Sequence, residues 1–329
     1  MNLAYREMIL NGELTPLGKL SSAFLAPSNS VHLQFAYYES SLVVEFIVQK
    51  FGFDALQKIL SDLRDGLEIN QAIAARTASL PEVEKQFDAF ARDLAKNLAP
   101  GTDLERPPDR QSETDALVWK TAHPNNYYLR LRKAQELMEA KRWAEAKPVL
   151  ESLVESYHGE SRAENPYWLL AVTQRNLRET NAELATLQKF AAQESDFVDL
   201  FARLIELSEA QTNWPDVTKY GGRFLAINPL VTLPHRALAE AAVATGNDAQ
   251  AITVYRKWLW LDPPDPAAVH FQLARLLHKR GDAEAEAKRQ VLEALEEAPR
   301  FRDAQRLLLE IENKSPQPTT SGNVYKPKP

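Results

Sequence analysis

Residues 232–265 read TLPHRALAEAAVATGNDAQAITVYRKWLWLDPPD, and residues 267–300 read AAVHFQLARLLHKRGDAEAEAKRQVLEALEEAPR. In each, apolar residues recur every three or four positions, as one face of a helix requires, and a glycine interrupts the pattern near its middle. The first segment places Leu238 and Ala239 before a Gly246-Asn247-Asp248 turn, then Ala251, Tyr255, Trp258 and a closing Pro263. The second places Leu273, Ala274 and Leu277 before Gly281-Asp282, then Ala287, Ala294 and Pro299, with one residue inserted after the turn. Pro229, Pro263 and Pro299 are spaced 34 and 36 residues apart. Each segment therefore reads as a helix–turn–helix unit in which alanines permit a tight crossing and aromatics fill the wider gap beside it.

Three weaker copies precede these two. Residues 127–160 carry Ala134, Leu137, Trp143, Ala146 and Leu150. Residues 164–196 carry Leu170, Ala171, Leu187 and Phe190. Residues 198–231 carry Phe201, Leu204, Trp214, Phe224 and Pro229. The helix from Phe301 to Asn313 reads as a cap. This pattern resembles the tetratricopeptide repeat (TPR), and the resemblance implies a right-handed superhelix of about five helix pairs over 127–313. It also implies a concave face built from the first helix of each pair, suited to a protein or an extended peptide. Projecting the repeat puts Tyr128, Arg132 and Gln135 on that face, then Trp168 and Arg175, then Arg203 and Glu206. The last two repeats add Arg236, Glu240, Phe271, Arg275 and Lys279. Arginines interleaved with aromatics suit a peptide that carries carboxylates. The Lys/Asn clamp of the chaperone-tail TPRs is missing from the corresponding positions.

Working outward, the rest of the chain also reads as helical, so the expected fold is all-α. Residues 39–50, 53–65 and 82–98 carry helical periodicity, Gly52 and Gly66 follow two of these runs, and Ser79 is placed to cap the third. They define a small helical unit over 1–98. Residues 99–126 turn proline-rich and polar, as an interdomain linker does, and 314–329 read as a disordered tail. Across its 329 residues the chain has no cysteine, which excludes disulfides and cysteine-ligated metals. A net charge of −6 gives no footprint for nucleic acid, and 11 glycines form no phosphate-cradling motif. No apolar run approaches a membrane span, and the first residues lack the apolar core of a signal peptide. As written the chain reads as soluble, with its compartment open.

Catalytic chemistry is harder to find. Histidines 32, 123, 158, 235, 270 and 278 never adopt the H-x-x-x-H spacing of a zinc helix, so no metal ligand is assigned and no cofactor is expected. Residues 10–66 (LNGELTPLGKL…FGFDALQKILSDLRDG) and 68–94 nevertheless resemble the C-terminal part of the peptidase-MA-like gluzincin metallopeptidases, a bacterial family in which TPRs often follow the zinc domain. The resemblance implies that H-E-x-x-H and the third-ligand helix would lie upstream of Met1, and zinc with them. Periplasmic or exported placement then becomes an option. It further implies that Tyr37, in Tyr37-Tyr38-Glu39-Ser40, matches a tyrosine that hydrogen-bonds the oxyanion in related aminopeptidases. The alternative for Tyr37 is plain helix packing. Two functions follow: a non-catalytic TPR interaction scaffold carrying a peptidase-tail remnant, or the C-terminal portion of an active zinc metallopeptidase.

Overall fold

Gly246 and Gly281 both sit at φ +72°, the left-handed region where a Cβ is unfavourable. Each reverses the chain between two helices of a computed structural model that describes residues 1–108, 112–157, 164–281 and 283–314. Among the described residues the regular structure is all-α, and it divides into two compact units, Met1–Leu177 and Arg178–Pro329.

The first unit begins with α1 (Leu3–Leu10), a short 3₁₀ turn, α2 (Ser22–Leu25), α3 (Ser30–Phe51), α4 (Phe53–Arg64), α5 (Ile69–Arg76) and α6 (Leu80–Lys96). These bury one core that includes Phe35, Leu42, Phe46, Ile59, Val83 and Phe87. Ser79 does precede α6, but it caps through its carbonyl, since its hydroxyl makes no capping bond. The unit continues with α7 (Glu113–Ala122), α8 (Tyr127–Glu139), α9 (Trp143–Ser156) and α10 (Pro166–Asn176).

Residues 99–126 differ from the expected linker. Leu104 is buried in one core with Leu3, Tyr127 and Leu131. The Asp103 carbonyl accepts from the Tyr127 N–H at 2.9 Å, and Asn126 Nδ2 donates to the Glu105 carbonyl at 2.7 Å. Tyr128 also donates its hydroxyl to Glu7 at 3.0 Å, and Tyr157 donates to the Met1 carbonyl at 3.1 Å. Pro100, Pro107 and Pro108 keep the start of this segment out of a regular helix but allow a packed extended stretch whose polar groups are satisfied by neighbours, and α7 follows it. Residues 99–108 and 112–126 thus belong to the compact unit Met1–Leu177.

The second unit holds α11 (Thr180–Ala191), α12 (Val198–Ala210), α13 (Trp214–Ile227), α14 (Thr232–Ala244), α15 (Asp248–Leu259), α16 (Pro266–Arg280), α17 (Glu284–Glu297) and α18 (Arg302–Lys314). Each helix packs on the next in the chain, and α18, the last described helix, packs on α17. The unit boundary falls inside the segment 164–196, which the sequence pattern reads as one repeat. Residues 315–329, expected to be a disordered tail, and Asp282 lie outside the described residues.

The turn geometry recurs where glycine is absent. Lys141, Arg178 and Thr212 take φ +58°, +61° and +52° at the position equivalent to Gly246 and Gly281. After Lys141, Thr212 and Gly246 the next N–H reaches five residues back, with Arg142 to Leu137, Asn213 to Ser208 and Asn247 to Ala242 at 2.8–2.9 Å. This is the hydrogen bonding of a left-handed helix C-terminus. The helices then approach closely. An added Cβ on Gly221, in α13, would meet Leu238 Cγ of α14 at 2.9 Å, whereas one on Gly222 would meet nothing within 4 Å.

Two measurements test this geometry. Thr212→Gly should raise stability in urea unfolding by about 1 kcal/mol, because a β-branched residue is strained in the left-handed region. Gly222→Ala should stabilise by about 0.5–1 kcal/mol through helix propensity. Gly221→Ala should instead fall roughly 1–3 kcal/mol below Gly222→Ala, because it overpacks Leu238. Equal effects at the two glycines would mean that α13 and α14 do not cross where described.

Candidate functional site

The face projected from the sequence is best populated on α12, α14 and α16. Arg203, on α12, donates to both oxygens of Glu183 at 2.8 and 2.9 Å and to Glu206 at 2.9 Å. Glu183 lies on α11 and is only 1% exposed. Hydrogen bonding to that buried carboxylate raises the Arg203 guanidinium further above its ordinary range. Arg236, on α14, repeats the arrangement with Glu209 of α12 at 3.0 Å and Glu240 at 2.8 Å. The Arg203–Glu183 pair is bidentate and so fixes geometry as well as charge. These two arginines tie neighbouring helices together.

The remaining projected residues divide in the same way. Lys279 pairs with Asp248 at 2.7 Å, and the Phe271 ring packs on Phe301 with centroids 4.8 Å apart. Arg275 is exposed, and no acidic group lies within ion-pair distance among the described residues. In the first unit Tyr128 is bound to Glu7, Arg132 is exposed, Gln135 is half-buried, and the Arg175 guanidinium lies 6.0 Å from the centroid of the Trp168 ring.

A cleft of about 370 Å³ opens between α14, α15 and α16. Its walls are Tyr255 and Trp258 from α15, whose rings stack at 6.2 Å, with Pro264, Val269 and Gln272 on the α16 side. Arg236 and Glu240 stand at its edge. The indole Nε1 of Trp258 is buried and has no hydrogen-bond partner. Burial pushes the Tyr255 phenol up, the Glu240 carboxylate pushes it the same way, and Arg275 opposes them. Sequence reasoning places Tyr255 and Trp258 as packing aromatics and misses Pro264 and Gln272. The available signal was spacing, since Gln272 shares a helical face with Arg275 and Lys279.

On α3, Tyr37 is 65% exposed and packs edge-on against Phe24 with centroids 4.9 Å apart. Tyr38 stacks on Tyr5 at 4.8 Å, and burial pushes its phenol up to about 12. Glu39 is wholly buried. Its Oε1 accepts from the Thr15 N–H at 2.6 Å, while Oε2 has no partner. Burial pushes this carboxyl up to about 7, against the opposing hydrogen bonds from Thr15.

Among the described residues no three His, Cys, Asp or Glu side chains are placed to hold a metal. His123 pairs with Asp103, His278 with Glu284, and His235 lies against the Pro229 carbonyl, each without a second imidazole. His158 lies outside the described residues. No described helix is long and apolar enough to cross a membrane.

No family model matches the chain, and no curated protein matches it. Solved structures of helical-repeat proteins do. YrrB, a TPR protein with an unusual peptide-binding site, is similar at 15% identity and a TM-score of 0.42, covering 62% of this chain and 98% of its own. MamA is similar at 15% identity and a TM-score of 0.39, over 52% of this chain and 96% of its own. TTC0263, a thermophilic TPR protein of Thermus thermophilus, is similar at 19% identity and a TM-score of 0.31, over 57% of this chain and 99% of its own.

Glu39 gives a pH test with a definite sign. Below the ordinary carboxyl value of 4.5 both folded and unfolded chains hold the proton, and Glu39 does not affect stability. Above it the unfolded chain ionises first, so stability falls as pH rises until the folded carboxyl titrates near 7. Glu39→Gln should therefore be more stable than the parent in urea unfolding at about pH 8 and equal to it near pH 4. A difference that does not change with pH would remove Glu39 as its source.

Proposed function

We propose that this chain is a non-catalytic interaction scaffold whose second unit binds a segment of another protein along α14 and α16. The observation that carries the reading is the cleft of about 370 Å³ walled by the stacked Tyr255 and Trp258. Its size and apolar walls suit one large apolar side chain, and clefts of this kind, with a few polar groups at the rim, are common ligand sites. Arg275 is the projected cation of this unit left without a carboxylate, so the partner segment carries an acidic group close to its apolar anchor. Arg203 and Arg236 act instead by holding the helices that carry the site.

For residues 1–98 the finer reading is a helical tail of the peptidase-MA-like type. It is supported by the stretches 10–66 and 68–94, and by the exposure of Tyr37, which leaves its hydroxyl open to an approaching group. The described residues do not form a zinc site, so no catalytic step is assigned to this chain. Zinc back-titration after chelation should find no stoichiometric ion, and a tightly held zinc would overturn the non-catalytic reading.

Peptide display against the full chain tests the scaffold. Enriched peptides should share an apolar or aromatic residue near an Asp or Glu. Arg275→Ala should weaken a selected peptide about tenfold, with the loss shrinking as salt rises. Trp258→Phe should weaken it independently of salt. Enriched peptides that bind both variants like the parent would place the site elsewhere.

A further inference from the structure

Residues 11–18 leave α1 as an irregular strap that runs into the short 3₁₀ turn. Both ends of the strap are fixed. The Glu13 N–H donates to the Met8 carbonyl at 2.9 Å, and the Gly18 carbonyl accepts from Asn70 Nδ2 of α5 at 3.1 Å. Its middle is held to α3 by the Thr15 N–H, which donates to Glu39 Oε1 at 2.6 Å. Glu13 adds an ion pair with His32 of α3 at 3.5 Å, exposed on both sides and present only while the imidazole is protonated.

Glu39 makes that middle contact conditional on charge. It is wholly buried, and Phe35, Leu42 and Val43, one turn away along α3, belong to the apolar core. Protonated, it meets the Thr15 N–H with one oxygen and leaves only a neutral group unpaired. Ionised, it leaves Oε2 charged, without a donor and without water. Burial and the Thr15 hydrogen bonds set its titration, with no cation contributing. The charged groups on the surrounding helices are engaged elsewhere. Arg6 of α1 donates to the Ala95 carbonyl, Glu7 of α1 holds Tyr128, Arg92 of α6 pairs with Asp88, and Arg76 of α5 pairs with Asp62 of α4. Glu84 and Lys85 of α6 line the wall of a cleft of about 520 Å³ that Leu14, Thr15 and Pro16 complete.

Hydrating Oε2 requires either α3 or the strap to give way. α3 is 22 residues long and buries seven of them, whereas residues 13–16 have no regular structure. The strap is the weaker element and opens first. We propose that residues 11–18 are a pH-sensitive strap, closed on α3 while Glu39 is protonated and lifted from it when Glu39 ionises. Leu17 and Gly18 also line a second cleft, of about 300 Å³. Lifting the strap therefore reshapes two recesses at once. It does not depend on the reading of the second unit.

The sign of the effect is fixed. Glu39 sits near 7 with the strap closed and returns to its ordinary 4.5 once water reaches it, so the open fraction should grow about tenfold between pH 6 and pH 8. Amide hydrogen exchange on the full chain, converted to protection factors, tests this. Protection at the Thr15 amide should fall about tenfold over that range in the parent and in His32→Ala. In Glu39→Gln, whatever its absolute level, it should be the same at both pH values. At about pH 8 the Thr15 amide should also exchange independently of low urea, because lifting the strap exposes little surface, while core amides of α6 respond to urea. Thr15 protection that is equal at the two pH values in the parent overturns the proposal. So does a fall that persists in Glu39→Gln, one that disappears in His32→Ala, or a urea dependence like that of α6.

Discussion

One left-handed residue between the two helices of each pair governs this architecture. Lys141, Arg178, Thr212, Gly246 and Gly281 recur about 35 residues apart, each at positive φ. Such a residue lets the following N–H groups return to carbonyls of the helix just ended, so that few polar groups are left unpaired at the crossing. After Thr212 and Gly246, Asn213 and Asn247 then cap the next helix with their side chains. A reversal confined to three residues brings the two helices into contact almost at once. In three of the pairs a small buried residue follows the turn closely, Ala146 in α9, Ala251 in α15 and Ala287 in α17, whereas Val217 and Glu183 hold the corresponding place in α13 and α11. Where alanine stands there the two helices can cross closely, and the aromatics of α15 line the wider opening beside it.

That chain of causes explains what the sequence discloses. Where glycine occupies the turn, at Gly246 and Gly281, the last two repeats are readable as text. Where Lys141, Arg178 or Thr212 takes the same conformation, the turn is present but its strongest letter is missing. Those copies look degenerate although their backbones are not. Residues 99–126 escape the sequence reading for a different reason. Composition reports what a segment does internally, and Leu104 is held by Tyr127 and Leu131, residues over 20 positions away. Likewise, the helical spacing identifies Arg203 and Arg236 as face residues, but nothing local to them announces Glu183 and Glu209. The carboxylates that occupy them lie on other helices.

Those carboxylates alter the chemistry of the face. Projection alone gives a row of cations awaiting an acidic ligand. With each guanidinium shared between two carboxylates of the same chain, the row is closed on itself. Glu183 is buried deeply enough that losing Arg203 would strand a charge, so this pair specifies how α11 and α12 seat rather than adding recognition. Lys279 is occupied by Asp248 in the same way. On the proposed reading, recognition on α16 then rests on the group left over, Arg275, and on shape. A single open cation beside an apolar cleft discriminates more sharply than a uniform basic stripe, because both the anchor and the charge have to match at fixed separation.

The first unit shows the complementary case, a repeat face already in use. Tyr128 heads α8, where the repeat pattern expects a ligand contact, yet its hydroxyl is held by Glu7 of α1. Glu7 also meets Arg106 from the segment just before α7, and Leu3 enters the core with Tyr127. The first helix pair thus receives α1 and the 99–108 segment where a later pair would meet a partner. Its apolar demand is met within the unit, which is how 1–98 and the first repeats form one compact body instead of two joined by a tether. What that body leaves exposed on α3 and α4 is a set of apolar side chains, Tyr37, Val44, Phe53 and Leu60. On the proposed reading the partner segment belongs to the second unit, where the stacked Tyr255 and Trp258 wall an open cleft that no part of the unit fills.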